Sequence, residues 1–120
     1  MRGEGHLTKP GQYALVYSKG RSWVSDLLVM KAMSNGLTLS RYGFSVGKRI
    51  GKAVTRNRIK RMLREILRAK SLEPGWDIIF IARPAVAMAS YADVKQAVNA
   101  LLSQARLLKG NDERVCLEIN

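Results

Sequence analysis

The 120-residue chain has one cysteine, Cys116, one histidine, His6, three prolines, few aromatics (7%) and only nine acidic residues. A single cysteine cannot close an intramolecular disulfide, and with the only histidine far from it there is no zinc-ligand spacing. No apolar run approaches the roughly 20 residues that span a bilayer, and Met1 to Pro10 lacks the apolar stretch of a signal peptide. The expected compartment is therefore the cytoplasm. The acids are scattered and Ser, His and Asp suggest no triad, so no catalytic constellation is expected and any hydrolytic role would have to borrow its chemistry.

Against these absences stand 21 Lys and Arg, a formal charge of +12, and a hydrophobic fraction of 47%. That fraction suffices for one core, so a disordered basic tail does not fit. One domain over residues 1–109 is expected, followed by a flexible, mildly acidic tail over 110–120. The charge is not spread evenly. Residues 41–70 hold eleven basic side chains against Glu65 alone, a net +10, which leaves +2 for the other 90 residues. Such a concentration points to a polyanionic partner.

Thr8 and Pro10 mark a helix start and Gly20 its stop, giving a first helix over about 11–19. The apolar run from Leu27 to Met33 reads as a strand, closed by the turn residues Ser34, Asn35 and Gly36. A second strand is expected over Tyr42 to Val46, with either a backward extension or an additional strand around 37–40. Gly47 and Gly51 then punctuate a loop bearing Lys48, Arg49 and Lys52. From Ala53 to about Ala69, Ile59, Met62, Leu63, Ile66 and Leu67 recur with the period of one buried helical face. Asp77 to Ala82 is the uninterrupted apolar run of a strand buried on both faces. Ser90 and Asp93 form an N-cap pair for a last helix, to about Lys109. The resulting order is α-β-β-α-β-α, with the two strands flanking the central helix parallel, and the expected class is an α+β two-layer sandwich with helices on a small mixed sheet.

On the central helix, Arg56, Lys60, Arg64 and Arg68 form an i, i+4 ladder of like charges, which repel by roughly 0.2–0.5 kcal/mol per pair in an isolated helix. With no acids along it, the ladder expects its anions from outside, and arginine suits a phosphate backbone. A membrane surface is a weaker match, because the apolar residues opposite the ladder are needed for the core. Tyr13, Tyr17 and Phe44 are candidates for stacking unpaired bases, or else ordinary core aromatics.

The string Gly-Phe-Ser-Val-Gly-Lys-Arg-Ile-Gly-Lys-Ala-Val-Thr-Arg-Asn-Arg-Ile-Lys-Arg-Met-Leu-Arg-Glu over residues 43–65 closely resembles the signature of the bacterial ribonuclease P protein subunit, with Arg56-Asn57-Arg58 followed by Ile59-Lys60-Arg61 as its most specific part. The resemblance extends through Tyr13 to Gly20 and from Pro74 to Pro84. It implies a protein that binds a catalytic RNA and the 5′ leader of precursor tRNA, with the catalytic Mg2+ ions held mainly by the RNA. It also implies an uncommon left-handed β-α-β crossover in place of the usual right-handed one, in a fold like the second domain of a small-subunit ribosomal protein. By motif, Arg56, Asn57, Arg58, Arg61, Arg64 and Arg68 would contact the RNA subunit, supported by Lys48, Arg49 and Lys52. Tyr13, Tyr17, Val29, Ser45 and Lys60 would form the leader cleft. Two features depart from the family: Arg2 and Lys9 make a sparser basic run before the first helix, and Lys31 stands where an aromatic is frequent. The competing expectation is a ribosomal or general RNA-binding protein with no processing role.

Overall fold

A computed structural model describes residues 4–7 and 10–108. In chain order the elements are β1 (Glu4–His6), α1 (Pro10–Lys19), β2 (Arg21–Val24), β3 (Leu28–Ser34), β4 (Ser40–Ser45), α2 (Ala53–Arg68), β5 (Trp76–Ala82) and α3 (Tyr91–Ala105). Single 3-10 turns at Lys48–Ile50 and Pro84–Met88 precede α2 and α3. Thr8, Lys9, Cys116 and the tail over 110–120 lie outside the described residues.

The strands form one mixed sheet in the order β1-β4-β5-β3-β2. β4 and β5 are parallel neighbours joined through α2, as expected, and β3 runs antiparallel to β5 in a seven-residue register from Leu28 opposite Ala82 to Ser34 opposite Trp76. Side-chain alternation gives the sheet two different faces. Leu28, Met30 and Ala32 of β3, Tyr42 of β4, and Ile78 and Phe80 of β5 join the buried stripes of α2 and α3 in the main core. Ile79 of β5, from the opposite parity, packs instead with Val16 of α1 and with Leu7, and Tyr13, Met33 and Ile81 lie against this smaller cluster. Thus α2 and α3 cover one face of the α+β sandwich and α1 lies across the other.

Two short strands add to the expected order. β1 pairs parallel with β4, from Glu4 opposite Ser40 to His6 opposite Tyr42. β2 pairs with β3 as the far edge strand. No strand forms over 36–39: the Asn35 side chain accepts from the Leu37 N–H and donates to the Leu39 carbonyl, which ties this segment into a turn before β4. α3 starts on the expected capping box, with Asp93 N–H donating to Ser90 Oγ at 3.1 Å and Ser90 N–H to Asp93 Oδ2 at 3.3 Å. It ends four residues before Lys109. Arg106 turns left-handed at φ 60°, and buried Leu107 and Leu108 leave the helix axis to meet the 72–73 segment. Burying two leucines outweighs one further helical turn.

Candidate nucleic-acid interface

The 3-10 turn and α2 form a single basic element. Gly51, at φ 151°, lets the chain change direction between them, and Arg56 Nε donates to the Gly51 carbonyl at 3.1 Å, fastening the junction. No side chain caps α2, and its first turn has no acid. Its orphan N–H groups and positive dipole end are therefore open to an anion, beside the exposed Lys48, Arg49 and Lys52. Asn57, Arg61 and Arg68 are exposed and Arg64 half-buried on the flank away from the core. None of these four forms a hydrogen bond or ion pair within the described residues.

The other arginine of the Arg-Asn-Arg motif is placed differently. Arg58 lies to the side of this exposed row on α2, half-buried, and its Nη2 donates to the Ala87 carbonyl at 3.0 Å, clasping the helix to the turn before α3. Arg41 also leaves the external patch. It forms a bidentate pair with buried Asp77, Nε to Oδ1 at 2.9 Å and Nη2 to Oδ2 at 2.7 Å, with Asn35 Nδ2 donating to the same carboxylate at 2.8 Å. It is the only ion pair among the described residues, and the side-chain hydrogen bond to Asp77 holds the guanidinium pKa above its ordinary value.

Four of the five expected cleft residues meet on the α1 face of the sheet. Tyr13 lies over Gly43, where a Cβ would overlap its ring and hydroxyl, and the hydroxyl donates to the Leu7 carbonyl at 3.3 Å. Burial raises the Tyr13 pKa; a backbone hydrogen bond at Phe44 works against this and nearby Tyr17 adds to it. Tyr17 follows one turn later and stays exposed. Beside the helix, Val29, Ile81 and Ser45 fall in one cross-strand row, which Val24 of β2, 60% exposed, extends to the sheet edge. The result is a half-open apolar floor with a wall of two tyrosines. Lys60 comes from another element, half-buried on α2 between Arg56 and Arg64 in the basic ladder. Phe44 is excluded from stacking: it faces the α2/α3 layer, packed against the main core with its ring 5.8 Å from that of Tyr42.

Among the described residues no three His, Cys, Asp or Glu side chains gather into a group able to hold an ion, and the buried carboxylate, Asp77, is taken by Arg41 and Asn35. No helix among them is long and apolar enough to cross a membrane.

A sequence model of the family described as Ribonuclease P matches residues 1–106. The ribonuclease P protein component of Dehalococcoides mccartyi strain CBDB1 is 44% identical over 114 residues, 95% of each chain, and that of Roseiflexus sp. strain RS-1 is 43% identical over 88% of this chain and 89% of its own. Among solved structures, the Staphylococcus aureus RNase P protein superposes with a TM-score of 0.79 at 27% identity, covering 91% of this chain and all of that one. The RNase P protein from Thermotoga maritima gives 0.73 at 29% identity over 80% of this chain and 94% of its own.

Proposed function

This chain belongs to the ribonuclease P protein family, and from that premise we propose that it is the protein subunit of a ribonucleoprotein endoribonuclease that removes the 5′ leader of precursor tRNA in the cytoplasm. The observation that carries the reading is the row of unpaired cations on α2 and its preceding turn, set apart from a second surface that is apolar and aromatic. A phosphate backbone satisfies the first without needing any acid from the protein. The second suits unstacked bases.

In this reading Lys48, Arg49, Lys52, Asn57, Arg61, Arg64 and Arg68 dock on the catalytic RNA, and the open N-terminus of α2 receives a phosphate. Arg56 and Arg58 hold the basic element in shape through Gly51 and Ala87, and Arg56 adds its charge to the docking surface. The leader runs along the α1 face, with its bases against Tyr13 and Tyr17 and its path over Val29 and Ser45, while Lys60, on the other side of the sheet, adds its charge to the α2 docking row. In this reading the Mg2+ that phosphodiester hydrolysis uses is held mainly by the RNA.

Reconstitution tests this directly. The protein mixed with its cognate RNA and a leader-bearing precursor at low magnesium should restore cleavage that the RNA alone performs poorly. No stimulation over RNA alone would leave only an RNA-binding protein without a processing role. Cleavage by the protein without RNA would overturn the assignment of the chemistry to the RNA.

A further inference from the structure

By register, the α1 face of the sheet carries two basic side chains, Arg41 and Lys31. Arg41 is neutralised by Asp77. Lys31 is not: it stands half-buried at the middle of β3, between Val29 and Met33 on the same face, and forms no ion pair among the described residues. Its partner is a hydroxyl. Ser22, directly opposite it on β2, accepts from Lys31 Nζ at 2.8 Å. A lysine fixed in this way keeps two further N–H donors, and a serine that accepts through its oxygen keeps its own proton to donate. The pair therefore presents three donors, two on the ammonium and one on the hydroxyl, and one uncompensated positive charge at the foot of the tyrosine wall, beside the apolar floor of Val29 and Val24.

We propose that Lys31 and Ser22 form a phosphate-binding point for one phosphodiester of the precursor tRNA leader, so that in this chain the β2 side of the cleft holds the strand by charge. The proposal rests on the leader-cleft reading above and adds to it a defined contact at the sheet edge. The chemistry favours a phosphodiester over a base. Two hydrogen-bond donors on a cation match two nonbridging oxygens, and the base edges of a strand laid over Val29 and Val24 would lie on the apolar floor. No chemical step is involved; the pair positions the leader and sets its register against Tyr13 and Tyr17.

The experiment uses the holoenzyme, the protein assembled with its RNA, and measures affinity for precursor and for mature tRNA. Lys31→Met keeps the aliphatic stem and removes the charge. It should weaken precursor binding by roughly tenfold, leave mature tRNA unchanged, and make the salt dependence for precursor shallower by about 0.7 in log-log slope. Ser22→Ala should have a smaller effect in the same direction, and Lys31→Arg should restore most of the loss. A series of precursors with a single neutral methylphosphonate at successive leader positions should reveal one position that weakens binding to the wild type and has no effect on Lys31→Met. If every leader position affects both proteins equally, the contact does not exist, even where Tyr13→Ala still discriminates precursor from mature tRNA and the cleft reading stands. If the wild type itself does not discriminate the two ligands, the cleft reading fails and takes this contact with it.

Discussion

At the scale of single residues, the cleft depends on a missing side chain. Gly43 is buried under Tyr13, and a methyl group there would occupy the space of the phenol, so the tyrosine wall exists because position 43 has no Cβ. Gly43→Ala should lower stability by about 1–3 kcal/mol, the usual cost of forcing an extra carbon into a packed site. It should also weaken precursor binding relative to mature tRNA, because the ring must swing away. Combining it with Tyr13→Ala should restore most of the stability, since the clash is gone; thermal unfolding of the four proteins measures this coupling. The same phenol makes a prediction about pH. Burial raises its pKa above the ordinary 10.0, so the neutral form is the one the fold prefers. Its contribution is complete below pH 10 and is lost as pH rises through the folded value. Wild type should therefore lose stability relative to Tyr13→Phe in the alkaline range, and the tyrosinate absorbance of Tyr13 should appear later than that of an exposed tyrosine.

At the scale of elements, α2 was legible because its two periodicities are both strong, five apolar residues facing the core and four cations at i, i+4. β5 was legible as a continuous apolar run and α3 as a capping box. β1 and β2 were not. β1 is three residues long with a glycine at its centre, and only its parallel pairing with β4, some 36 positions away, makes it a strand. β2 is four residues at the sheet edge, with Ser22 and Val24 over an open cleft, so it lacks the apolar alternation of a half-buried strand. The motif also reads as uniform in sequence, although its residues divide by flank of the helix. Arg58→Ala should cost about 1–2 kcal/mol of stability through loss of its bond to Ala87. Arg61→Ala with Arg64→Ala should leave stability within about 0.5 kcal/mol of wild type and should make the salt slope for RNA assembly shallower by roughly 0.7–0.9 per lost phosphate contact. Equal stability losses for the two variants, with no change in slope, would mean that the exposed flank is only solvated.

At the scale of the whole molecule, the net charge pointed to a polyanionic partner but did not separate the surfaces. The +10 of residues 41–70 includes Arg41, whose charge is spent inside the fold on Asp77, and Arg58, whose guanidinium is turned toward Ala87. No local pattern could show either, because both contacts join residues at least 29 positions apart. Nor could it show that Val24, Val29, Ile81 and Ser45, from four strands, share one row; that follows from register alone. The sheet separates the α1 face, with its cleft, from the layer into which α2 packs, and the exposed flank of α2 points away from both cores. Two surfaces separated by a rigid sheet should contribute independently to a shared ligand. In the holoenzyme, Tyr13→Ala should weaken precursor binding by about 1–3 kcal/mol, and Arg61→Ala with Arg64→Ala should act on assembly with the RNA. With assembly saturated, the combined variant should bind precursor with the sum of the separate losses to within about 0.5 kcal/mol. A coupling well above that would mean that one strand of RNA touches both surfaces, and the division of labour between the two faces of the sheet would be wrong.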